Sequence, residues 1–273
     1  MLIADDPPLF AALAALGRDA RMVFFAGLPG TGKSLLIHQL AHLAHERGRR
    51  IHLLQWDVAR PVFEASEVGR RYPLDRGVTH GVIRLAVGRW ARAAVARWHA
   101  RYRGSEHLLI GETPFIGHRL IELARPASDE AEPVLTSPVT TFVIPVPSRA
   151  LREYLEAERA RRAQQPLHPR EREDAPPEVL RALWRDLAGV DIPYDPVVYQ
   201  HAYERLLRHR RAEALPLHTR LQTEGVSAYD FRVATTDLVP TADEAERCIR
   251  AVEESHPDAG DVQRAIDSWR RPA

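Results

Sequence analysis

The sequence predicts an α/β fold: a parallel sheet with helices packed on both of its faces. Two observations carry that expectation. Five short apolar runs alternate with helix-period segments, an order that favours parallel pairing through helical crossovers. The first of these runs, Arg21 to Ala26, leads directly into a glycine-rich turn and then into a helical pattern.

The elements follow in order. Leu9 to Leu16 is an alanine- and leucine-rich helix after Pro7-Pro8, closed by Gly17. The strand at Arg21 to Ala26 ends at Gly27, and Ser34 to Arg47 repeats apolar residues at Leu36, Leu40 and Leu43 before stopping at Gly48. Ile51 to Trp56 reads as a second strand ending at Asp57, followed by a mixed stretch to residue 80 rich in Pro, Gly and Arg. A long helical pattern then runs from about Val82 to Tyr102 and carries Trp90 and Trp98, expected as core or interface anchors. His107 to Ile110 and Thr140 to Val146 read as strands three and four. Ser148 caps a charged helix running to about Gln165, and further helices are expected at 178–187 and 196–211. Tyr229 to Thr235 reads as the fifth strand, and Thr241 to Glu254 as the last helix. The whole chain, 1–273, reads as one domain, with a substrate-binding insertion over 58–105 and a helical lid with extra helices over 148–228.

Composition narrows the class. Hydrophobic residues at 45% and charged residues at 27% are the balance of a globular protein. A net charge of +1 creates no global field toward nucleic acid or membranes. One cysteine, Cys248, excludes an internal disulfide framework, and the 13 histidines lack the tight spacing of a zinc site. No run approaches the roughly 20 apolar residues of a membrane span. The segment Met1 to Pro8 lacks the basic start of a secretory signal, so a cytoplasmic location is expected.

Gly27-Leu28-Pro29-Gly30-Thr31-Gly32-Lys33-Ser34 satisfies the phosphate-loop pattern G-x-x-x-x-G-K-[ST] in full. Its glycines let backbone N–H groups converge on phosphate oxygens, and the following helix, which continues through Leu35, offers its positive end. Lys33 would bridge the outer phosphates of ATP, and the Ser34 hydroxyl would be a Mg²⁺ ligand. Of the 38 basic residues only Lys33 is a lysine. It stands where a compact ammonium fits and a planar guanidinium does not.

On these residues the chain resembles the P-loop kinases: the adenylate-kinase-like, gluconate-kinase-like and chloramphenicol-phosphotransferase-like enzymes. The specific resemblance covers Met22 to Arg47. It implies a P-loop NTPase fold, a five-stranded parallel sheet in the order 2-3-1-4-5, ATP with Mg²⁺, and an acceptor molecule. Asp57 matches the acid that ends the second strand in that family and touches the acceptor, with Arg60 after it. Gly111-Glu-Thr-Pro114 is similar to the Asp-Gly-Phe-Pro of adenylate kinases with the acid displaced by one, which makes Glu112 the candidate Mg²⁺-linked acid. Asp57 would then orient or deprotonate an acceptor hydroxyl, or the two acids would exchange roles. The helix Ser148 to Arg162 resembles the arginine-bearing lid, so Arg159 and Arg162 are candidates for stabilising the transferred phosphoryl group. The plain alternative is a solvated helix laced with Glu–Arg pairs such as Glu158 with Arg162.

Arg76, His80 and Arg84, with Thr79, cluster in the insertion where guanidiniums would suit a phosphate or carboxylate on the acceptor. His118 and Arg119 are comparable. The leading expectation is an ATP:small-molecule phosphotransferase. A nucleotide-dependent switch acting on a protein partner, and a polynucleotide 5′-kinase, are the competing expectations. Near-neutral net charge weighs against the last.

Overall fold

The computed structural model describes residues 6–75, 77–173, 175–220, 227, 230 and 233–270. Six strands form one all-parallel sheet: β1 Met22–Ala26, β2 Arg50–Leu54, β3 His107–Thr113, β4 Thr140–Pro147, β5 Ala212–Leu217 and β6 Thr235–Asp237. Their order across the sheet is β5-β4-β1-β3-β2-β6. The helices are α1 Pro7–Asp19, α2 Lys33–Glu46, α3 Trp56–Ala65, α4 Gly81–Arg101, α5 Glu132–Leu135, α6 Arg149–Gln164, α7 Pro177–Ala188, α8 Pro196–Leu206, α9 Ala242–Ser255 and α10 Ala259–Asp267.

The sheet is covered on both faces, which is why its central strands are apolar without alternation. All five residues of β1 are buried. Met22, Phe24 and Ala26 enter one core, with Trp90 and Val87 of α4 and Ile249 and Val252 of α9. Val23 and Phe25 enter the other, with Leu13 of α1 and Leu36, Leu40 and Leu43 of α2. Phe24 stacks on Phe142 of β4 at 5.0 Å and lies opposite Gly111 of β3. A Cβ at Gly111 would stand 2.3 Å from the Phe24 ring, so the strand needs glycine there. Trp90 and Trp98 are buried in the first of these cores, as anchors.

The expected count of five strands and the order 2-3-1-4-5 need correction. Six strands are present among the described residues. The strand outside β4 is Ala212–Leu217, a segment not among the five expected strands. Tyr229 to Thr235, expected as the fifth strand, lies largely outside the described residues, and Thr235 opens β6 on the opposite edge, beside β2. The physical reason is that β5 and β6 are edge strands. β5 is mostly half-exposed, carries Pro216, and pairs on one side only, with β4. Asp57 also moves: β2 stops at Leu54, and Asp57 sits in the first turn of α3.

At the opposite end of the sheet from the strand C-termini, His52 Nε2 and His107 Nδ1 are 2.9 Å apart, with the Tyr102 ring 4.5 Å from each. Burial lowers the His52 pKa to about 4, and the charges of His107, Arg101 and Arg50 add to it. Folded His52 is therefore neutral where unfolded His52 takes a proton, so stability falls with pH between about 6.5 and about 4. Urea unfolding at pH 7 and pH 4.5 should show wild type losing about 2 kcal/mol more than His52→Gln across that interval. Equal losses would remove His52 from the acid response.

Candidate active site

Because the sheet is parallel, the C-terminal ends of β1, β3 and β2 lie side by side, and the chain leaves each of them through a candidate residue. This is the edge at which open α/β sheets bind ligands. Gly27 follows β1, Glu112 is the penultimate residue of β3 opposite Phe25, and Asp57 follows β2.

The turn between β1 and α2 is tight. Gly30 and Gly32 have φ of 76° and 84°, a region L side chains rarely adopt. Gly27 donates its N–H to Thr113 O at 3.4 Å, tying the turn to β3. A Cβ on Gly27 would lie 2.5 Å from the Tyr199 hydroxyl and 2.9 Å from Thr31 Oγ1. Thr31 Oγ1 in turn donates to Leu28 O at 2.8 Å. α2 opens at Gly32 with no side-chain cap, so its first N–H groups have no side-chain acceptor from that position. Ser34 and Leu35, half-buried, lie in its first turn.

Lys33 is 4% exposed and lies across the turn. Its Nζ donates to Leu28 O at 2.9 Å and stands 3.3 Å from Glu112 Oε1. Burial pulls the ammonium's pKa down; Glu112 opposes the shift, while Arg159 and Arg152 reinforce it. Three cations therefore gather around the turn. Arg152 is 2% exposed, donates to Pro29 O at 2.8 Å, pairs with Glu156, and lies 5.5 Å over the Tyr194 ring. Ser148 caps α6 by accepting from Leu151 N, and this helix carries both arginines to the turn.

The structure brings some predicted residues together and separates others. Lys33, Glu112 and Arg159 share one neighbourhood with Gly27 to Gly32. Arg162 instead bonds Glu158 at 2.9 Å and reaches Glu171 at 4.0 Å. Asp57 is exposed at the start of α3, and Arg60 is held by Glu64 at 3.0 Å. His80 caps α4, its Nδ1 accepting from Val82 N at 3.2 Å. Arg84 donates to Gly117 O at 2.7 Å. Arg76 lies outside the described residues. Tyr199, buried from α8 against Gly27, had no signal in the sequence, because its contact exists only once α8 has folded back.

Among the described residues no group of three or more His, Cys, Asp and Glu side chains could hold a metal ion. No helix among them is long and apolar enough to cross a membrane. No family model, curated protein or solved structure matches the chain.

Proposed function

We propose that the chain is an ATP-dependent phosphotransferase acting on a small molecule, with the ATP phosphates in the turn Gly27 to Ser34. The observation that carries this reading is Lys33. It is a buried ammonium within a glycine turn at the head of a helix, 3.3 Å from a strand-end carboxylate, with Arg152 and Arg159 beside it. Leaving a lysine buried and half-compensated costs stability, and a polyphosphate would supply the charge it lacks.

On this reading the N–H groups of the turn and of the start of α2 hold the phosphates. Lys33 exchanges its Glu112 partner for phosphate oxygens. Arg159 supplies charge to the transferring phosphoryl group, and Arg162 supports it from the same helix. Asp57 faces an acceptor hydroxyl, with Arg60, His80 and Arg84 around the acceptor. Ser34 and Glu112 are oxygen donors of the kind Mg²⁺ takes, and Mg²⁺ held there would neutralise charge on the phosphates. Two protein oxygens suffice for such an ion, because the phosphates and water provide the rest.

The test is transfer of labelled γ-phosphate from Mg–ATP into a pooled metabolite library, with Lys33→Met beside wild type. A labelled species made by wild type alone is the expected result. ATP bound and hydrolysed with no labelled acceptor would replace the phosphotransferase with a nucleotide-dependent switch acting on a protein partner.

A further inference from the structure

Immediately after Glu112 the chain makes a strained turn. The non-glycine residues with positive φ among the described residues are Phe115 at 60°, His118 at 61° and Leu120 at 62°, all within this turn, and Gly117 joins them at 67°. A non-glycine residue held in this region is strained, and such strain gathers at functional sites. The turn is held from several sides. Phe115 N donates to Arg119 O at 2.9 Å, and Arg119 N donates back to Phe115 O at 3.3 Å. Phe115 and Leu120 are buried in the core, and His118 Nε2 is 2.8 Å from Glu122 Oε1. Arg84 of α4 holds the turn's tip through Gly117 O.

With its neighbours fixed, Arg119 is the side chain the turn presents. It is half-buried, and among the described residues its guanidinium makes no hydrogen bond and no ion pair. The groups it faces are Asp57 and Arg60 of α3, and Arg84 faces it from α4. Burial pulls both Arg119 and Arg84 below the ordinary arginine range; Asp57 opposes this at Arg119 while Arg60 deepens it, and at Arg84 it is Arg119 that deepens it and Asp267 that opposes it. The Nε atoms of Arg60 and Arg84 are buried without partners. Arg60 is otherwise held by Glu64, which also accepts from Thr79 Oγ1 at 3.3 Å. Three guanidiniums thus converge beside one free carboxylate, an arrangement that a further anion would stabilise.

We propose that Arg119, flanked by Arg84 and Arg60, is the residue that binds an anionic group of the acceptor, a carboxylate or a phosphate, on the Asp57 side of Glu112. The inference rests on the phosphotransferase reading for the word acceptor, and on the turn and the three arginines for the anion. The planar fork of Arg119 matches either anion with two parallel N–H bonds. Asp57, in the same cluster, stays free to take the hydroxyl of the same molecule.

The experiment is thermal unfolding at constant ionic strength in about 10 mM inorganic phosphate and, separately, about 10 mM succinate. Wild type, Arg119→Gln, Arg119→Lys and Lys33→Met are compared, with Mg–ATP binding measured on each. The expected result is a rise of about 2–4 °C with one of the two anions in wild type and in Lys33→Met. Arg119→Gln should show less than half of it, and Arg119→Lys, which keeps charge and loses the fork, an intermediate rise. The anion that responds names the acceptor's group. A response equal in wild type and Arg119→Gln overturns the proposal, as does one lost in Lys33→Met and kept in Arg119→Gln, which would put the anion in the β1–α2 turn. An anion response that depends on Arg119, in a wild type that binds no ATP, would end the phosphotransferase reading and leave the anion site standing.

Discussion

Replacing Lys33 with methionine is expected to lower the proposed γ-phosphate transfer by about 10²–10³-fold, the scale of removing one charge-stabilising donor from a water-poor site. The same variant should keep its fold. Lys33 is buried against burial's own penalty, so an apolar chain of similar length relieves that cost, and the Glu112 left behind is partly hydrated. Loss of transfer with unfolding stability held or raised separates a functional lysine from a structural one. A variant that merely unfolds would fit a structural lysine instead. The proposed chemistry also has a pH sign. Phosphate needs the ammonium form, so ATP affinity should fall as pH rises toward the alkaline range, earlier than an exposed lysine would allow.

Arg152→Met is expected to have the largest effect on stability, a loss of about 2–3 kcal/mol that lowers the melting temperature by roughly 5–10 °C. The guanidinium is 2% exposed and is joined to the Pro29 carbonyl and to Glu156. Its removal leaves a carbonyl of the turn and a half-buried carboxylate unpartnered. Adding Glu156→Gln should recover part of the loss, since the uncompensated charge is then gone. Because Arg152 holds the turn at Pro29, ATP affinity should fall as well. A melting temperature unchanged by Arg152→Met would mean that α6 does not brace the turn.

What the sequence made legible follows from where each residue draws its partners. β1, β3 and β4 are continuous apolar runs between glycine or proline breaks, and burial on both faces leaves them no other pattern. α4 and α6 were readable from period and caps. β5 was not: Ala212–Leu217 follows α8 closely, is mostly half-exposed, and contains Pro216, so neither alternation nor an apolar run marks it. α3 was hidden by Pro61 inside it, which breaks the helical signature without breaking this helix.

The site divides in the same way. Gly27 to Ser34 is a local pattern, and the turn it forms depends on glycines adjacent in sequence. The partners that complete it come from elsewhere. Glu112 reaches Lys33 because β3 pairs with β1 in register, Arg152 because α6 folds back over Pro29, and Tyr199 because α8 packs against Gly27. Arg119 is a mixed case: it stands among the sequence's acceptor-anion candidates, but the strain of its neighbours and its place facing Asp57 exist only in the fold.

The central claim, that the turn between β1 and α2 holds nucleotide phosphates, is tested most directly by equilibrium binding of Mg–ATP to the wild-type chain and to Lys33→Met by titration calorimetry. Saturable binding to wild type at one site, weakened at least tenfold in the folded variant, is the predicted result. A folded wild type that takes up no nucleotide, or equal affinity in both chains, would contradict it.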